Sequence, residues 1–202
     1  GADIVTLGTG DDNVEAHGLV AANKTLIQDF EDAGATVGDV VSLLAAGTEG
    51  TNAAGNEPRM VSVIVADGLA GDATYRLDQA TGSIEGASLA AFNTGTAAGV
   101  DIVELTGWNT AKGNLATDFT TGGNGTELLK GLVSGSGTAA SITSDGANDI
   151  FYLIAYDTNV TVIYQVDGTT NPNVAADILP IAMFNSVIAD GAFVQADFLM
   201  TS

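Results

Sequence analysis

The sequence predicts an all-β fold of two tandem β-sandwich-like modules with minor short helices, covering residues 1–98 and 99–202. Three observations predict it. The chain carries 26 Gly but only 3 Pro, with abundant Thr, Asn, Asp and Ser between runs of Val, Ile and Leu. That mixture suits short strands joined by tight turns. Several of the runs alternate apolar and polar residues, the period of a strand with one buried face. Finally, the opening Gly1-Ala-Asp-Ile-Val-Thr-Leu7 returns as Gly99-Val-Asp-Ile-Val-Glu-Leu105, which marks a duplicated module.

Each copy starts on that strand-like segment and runs into an Asp-Phe pair, Asp29-Phe30 and Asp118-Phe119. A Gly-rich turn and a short acidic-apolar segment follow, Gly38-Asp-Val-Val-Ser-Leu43 and Thr126-Glu-Leu-Leu-Lys-Gly-Leu132. Two strand-like runs come next: Met60–Val65 and Ala73–Leu77 in the first copy, Ile150–Tyr156 and Val160–Val166 in the second. In the last of these, positions 160, 162, 164 and 166 share an apolar face, and Asp157-Thr158-Asn159 forms the turn of a hairpin. Each copy then passes through an Asp-rich turn to an Ala-rich piece ending in Phe-Asn, Phe92-Asn93 and Phe184-Asn185. A third start closes the chain, Gln195-Ala-Asp-Phe-Leu-Met200. Short helical turns are expected in Leu19–Ile27, Ser88–Phe92, Leu128–Val133 and Ala175–Phe184.

Charge narrows the function classes. Five basic residues face 25 acidic ones, a formal charge of −20. Phosphate backbones and anionic membrane surfaces are bound by Lys and Arg clusters, so nucleic acid and membrane partners are not expected. No apolar run reaches the ~18 residues of a bilayer-spanning helix. Such a negative charge opposes compaction unless salt or bound cations offset it. Oxygen-rich Asp, Asn and Glu loops favour calcium, a hard ion with six to eight oxygen ligands. There is no Cys, which removes disulfides, thiolate metal sites and thiol nucleophiles. His17 is the single histidine, so H-E-x-x-H zinc chemistry is excluded, and no G-x-S-x-G elbow surrounds a serine. Trp108 is the single Trp, too few for the aromatic platforms of a sugar-cleaving cleft. No catalytic residues are assigned.

The candidate calcium ligands fall in four loops. Gly8-Thr-Gly10-Asp11-Asp12-Asn13-Val14 fits most of the calcium nonapeptide G-G-x-G-x-D-x-U-x. Gly122-Gly-Asn-Gly125-Thr-Glu127 fits it with Glu for Asp, and Asp145-Gly-Ala-Asn148-Asp149 is one residue short. Glycines permit the tight turn, carbonyls face the ion and the carboxylate completes the shell. Asp167-Gly-Thr-Thr-Asn171-Pro-Asn173, with Asp177 further on, offers oxygens at alternate positions but has Pro172 in the slot that an EF-hand gives to Gly. All these residues also suit solvated turns that hold no ion. The copies are isolated, and in a parallel β-roll each ion is shared between successive coils, so a roll is not expected.

Gly8–Val14, the Gly38-Asp-Val-Val-Ser-Leu43 pattern, and Asp149–Tyr156 through Asp177–Phe184 together resemble RTX-like calcium-binding exoproteins of Gram-negative bacteria. Asp197-Phe-Leu-Met200 resembles the acidic-then-apolar ending of type I secretion substrates. The resemblance implies export to the extracellular cell surface, calcium-assisted folding, and assembly with other copies into an S-layer or filament. Head-to-tail addition of a terminal strand to a neighbour's open edge is the expected contact, with cell-surface polysaccharide as a further partner. An adhesin or binding module, or the C-terminal export domain of a secreted enzyme, are the alternatives.

Overall fold

The computed structural model describes residues 2–16, 24–31, 38–44, 60–64, 74–76, 102–108, 110–111, 113–132, 141–143, 150–167, 173–186, 188–189 and 191–201. Its strands are β1 (Ala2–Thr6), β2 (Asn13–Ala16), β3 (Lys24–Gln28), β4 (Val40–Leu44), β5 (Met60–Ile64), β6 (Thr74–Arg76), β7 (Ile102–Thr106), β8 (Ser141–Thr143), β9 (Ile150–Tyr156), β10 (Thr161–Asp167), β11 (Asn173–Val174), β12 (Ile178–Phe184) and β13 (Phe198–Thr201). The helices are short: α1 (Leu115–Thr117), a π turn (Asp118–Gly122) and α2 (Thr126–Gly131). Two 3₁₀ turns, Ala175–Asp177 and Gln195–Asp197, lead into β12 and β13.

The expected pair of all-β sandwiches is not the fold. A seven-stranded mixed sheet has the order β1-β3-β12-β10-β9-β7-β5, so strands from the two ends of the sequence are neighbours. All its strands run one way except β10. A three-stranded parallel sheet, β13-β4-β2, packs on one face, and α1, the π turn and α2 pack on the other. A third small sheet has the order β11-β8-β6. The architecture is mixed α/β.

The matching runs of the two presumed copies are also wired differently. β9 and β10 form the expected hairpin, closed by the amide of Asp157 donating to the carbonyl of Val160 at 2.8 Å. Their first-copy counterparts do not pair with each other. β5 joins β7 in the large sheet, whereas β6 joins β8 in the small one. The divide expected near residue 98 lies outside the described residues.

Burial explains the layering. β9 is buried along both faces: Phe151, Leu153 and Ala155 join the helix-side core, and Tyr152, Ile154 and Tyr156 join the sheet-side core. A run apolar at every position is what a strand covered on both sides requires. In β10, Val162, Tyr164 and Val166 face the helices as the alternation predicts, and Ile163 faces the small sheet. Opposite Ile163 and Tyr164, β12 carries one extra residue, so that Ile181 and Ala182 both reach the sheet-side core. On the helix side, Gly131 lies so close to the Trp108 indole that a Cβ there would come within 2.0 Å of it. That contact lets Trp108 Nε1 donate to the Leu128 carbonyl at 2.9 Å. The Ala175–Phe184 segment, expected to be helical, has one 3₁₀ turn and then becomes β12.

Pairing shows one more departure. Along the chain, β1, β2, β3 and β4 alternate between the large and the three-stranded sheet, and β12 and β13 do so again. β1 pairs in parallel with β3 and β3 with β12; β2 pairs in parallel with β4 and β4 with β13. These are three stacked coils of a short parallel roll: β1–β2, β3–β4 and β12–β13. A tandem glycine-rich array is not needed, because the second and third coils close their turns with buried aspartates.

Candidate functional site

The coil turns are built around side-chain carboxylates that accept backbone amides. In the first coil, Gly8 and Gly10 have φ of +90° and +124°, backbone that only glycine adopts without strain. The second coil's turn is locked by Asp39, which is fully buried. Its Oδ1 accepts the amide of Asp12 at 3.1 Å and its Oδ2 accepts the amide of Glu31 at 2.7 Å. One carboxylate thus ties the first coil to the second. Asp29, at φ +53°, adds a second tie by accepting the amide of Leu7 at 3.3 Å.

The third coil uses the same device. Asp197 Oδ2 accepts the amide of Val194 at 2.7 Å, and Asp177 Oδ2 accepts that of Val174 at 2.8 Å. Asp197-Phe198, which reads as a third module start, is instead the end of a 3₁₀ turn leading into a strand, as is Asp177-Ile178. Aspartate suits it because a short carboxylate reaches back to the free amides of a turn.

Among the predicted calcium ligands, Asp11, Asp12 and Asn13 share the first coil's turn. Asp11 and Asn13 are exposed and Asp12 is half-buried. Asn13 Oδ1 accepts the Ser42 hydroxyl at 2.8 Å. Glu127 lies in the first turn of α2, where it accepts the amide of Asn114 at 3.2 Å and pairs with Lys130. Asp177 lies on the 3₁₀ turn that abuts α2, through the Gly125 amide donating to the Ala175 carbonyl. Asp167 ends β10, and its side chain is outside the described residues, as are Asp145, Asn148, Asp149 and Asn171. Among the described residues, no three acidic or histidine side chains converge as a ready ion site.

No family model, curated protein or solved structure matches this chain. The geometry therefore stands alone.

Two further polar features are on the helix side. Asp118, buried on the π turn, has Oδ1 accepting the Glu127 amide at 2.9 Å. Its Oδ2 accepts the Leu128 amide at 2.9 Å and the Tyr164 hydroxyl at 3.1 Å. Burial lifts its pKa from 3.8 to about 6, and these three donors pull in the opposite direction. Burial and the neighbouring Asp118 charge push the Tyr164 hydroxyl upward. Lys24 reaches across from β3 to donate to the carbonyls of Asp118 and Phe119, with its ammonium 5.4 Å from the Phe119 ring centre. Its pKa is lowered, chiefly by desolvation. The group acts as a clasp between the helical layer and the roll. Nearby, Thr110, Gly113, Asn114, Asp157, Thr158 and Asn159 line an open cleft of about 390 Å³. Both Asp157 oxygens already accept amides there, from Leu115 and Thr158.

The feature of widest reach is an edge. β1 ends the seven-stranded sheet and β2 ends the three-stranded one, both on the first coil. Among the described residues, neither has a partner on its outer side. Ile4 in β1 is 66 % exposed, the most exposed large apolar side chain among the described residues. Composition gave no warning of this, because Ala2–Thr6 reads like any other strand of the chain.

Proposed function

We propose that this chain is a secreted structural subunit of a Gram-negative cell surface, assembling with copies of itself into an S-layer or extracellular filament, without catalytic activity. The outer edge of β1, without a partner strand among the described residues and with Ile4 exposed on it, carries the reading. An edge strand with unpaired amides and carbonyls is a template for another strand. Soluble monomers guard such edges with Lys, Pro or bulges, and Ala2-Asp-Ile-Val-Thr6 has neither Lys nor Pro. The coiled pairing of β1 to β4 supports the resemblance to RTX-like exoproteins, and with it export by a one-step route.

Calcium belongs to the same proposal. Exposed Asp11 and half-buried Asp12, on a turn shaped by Gly8 and Gly10, offer the carboxylates that an ion would take. Electron microscopy of the purified chain, with and without millimolar calcium, tests the reading. Ordered sheets or fibres are the expected result, and particles that stay dispersed at every concentration would overturn it.

A further inference from the structure

The roll has two ends, and they are not alike. At the third coil, the outer side of β12 is already taken by β10, so the large sheet continues past the roll there. A neighbour's complete coil cannot seat on that end, because its large-sheet strand would need the place of β10. At the first coil, both strands are open among the described residues. Coil-to-coil stacking between copies therefore leaves one arrangement: first coil against first coil.

The side chains agree with this. Register sets Met183, Leu26 and Ile4 in one row across β12, β3 and β1. Met183 is 7 % exposed, Leu26 half-buried and Ile4 66 % exposed, so an apolar row runs out of the protein at the open edge. A two-fold axis normal to the sheet, lying just outside β1 at the level of Ile4, places the partner copy's Ile4 directly opposite, in antiparallel pairing. The same register sets Asp3 against the partner's Val5 and keeps the two Asp3 carboxylates apart. In-register parallel addition of a second β1 would instead align Asp3 with Asp3, two like charges in a chain already at −20.

We infer that the chain pairs head to head through its first coil, β1 to β1 and β2 to β2, in a two-fold dimer that continues both sheets of the roll. The inference rests on the reading of the chain as a self-associating subunit. Such a contact is isologous and closes on itself. A layer or filament then grows from these pairs through a second edge, and β5, which ends the far side of the large sheet among the described residues, is one.

The absence of cysteine makes a clean test available. The two-fold contact brings residue 4 of one copy against residue 4 of the other, so the Ile4→Cys variant is oxidised and its mass measured, while Asp3→Cys, which in-register parallel pairing but not the two-fold register would set against itself, should cross-link little. Thr158→Cys, on the exposed hairpin turn, serves as the control. Ile4→Lys is run alongside in sedimentation velocity, with circular dichroism to verify folding. The expected result is a concentration-dependent dimer of the parent chain and near-complete disulfide dimer for Ile4→Cys. The control should cross-link little, and Ile4→Lys should be a folded monomer. Oligomers or fibres that persist in Ile4→Lys, with no cross-link at residue 4, would overturn the head-to-head contact and leave the structural-subunit reading standing. A parent chain that never associates would overturn both.

Discussion

At the scale of single residues, several of the described aspartates serve the fold. Asp39, Asp118, Asp157, Asp177 and Asp197 each receive at least one backbone amide. Their number reads in the sequence as a supply of metal ligands, but a carboxylate that must close a turn looks the same in a string of letters. Asp118 yields a pH prediction. Its folded pKa, about 6, lies above the ordinary 3.8, so folding favours its proton. Its stabilising contribution is full below about pH 4 and is lost as pH rises through about 6. The stability margin of the parent over Asp118→Asn should thus be larger at pH 4.5 than at pH 7 in denaturant melts. A margin independent of pH would show that Asp118 titrates like an exposed carboxylate.

At the scale of elements, the corner of the roll is held by aromatic rings. Phe193, on the turn of the third coil, lies 5.3 Å from Phe184, 5.3 Å from Phe198, 5.7 Å from Phe30 and 6.2 Å from Tyr156, centre to centre. It joins the second coil's turn to both strands of the third. Phe193→Ala should cost about 3–5 kcal/mol in urea unfolding, the range for emptying a packed aromatic site. A loss under about 1 kcal/mol would mean that the corner is held elsewhere. Strands and the β9–β10 hairpin were legible in the sequence because alternation and a polar turn are local signals. The pairing of β3 with β12 was not, since residues 25–27 meet 182–184 and no local pattern encodes such a distance. One clue was available: Ile150-Phe-Tyr-Leu-Ile-Ala-Tyr156 is apolar throughout, which marks a strand covered on both faces and argues against a two-layer sandwich. Of the candidate site, the Gly8–Asp12 turn was legible as a turn. The open edge beside it was not, because an edge is defined by what fails to pair.

At the scale of the whole molecule, the charge of −20 on 202 residues is the largest unbalanced term. Ordinary salt screens it, whereas calcium would bind at particular carboxylates. If the proposed sites bind with dissociation constants of about 10⁻⁴ to 10⁻³ M, millimolar calcium would add about 0.4–1.4 kcal/mol for each one occupied. The expected outcome is a rise in Tm of a few degrees with calcium, reversed by EGTA and not reproduced by sodium chloride at matched ionic strength. Equal rises with either salt would assign the effect to screening alone.

The third coil comes from the last stretch of the described chain, yet it is stacked directly on the second, which comes from the first. During synthesis, β3 and β4 find β1 and β2 at once, but they must wait for almost every later residue before the partners on their other side, β12 and β13, exist. Long-range closure of this kind is slow, and it leaves apolar strand borders bare in the interval.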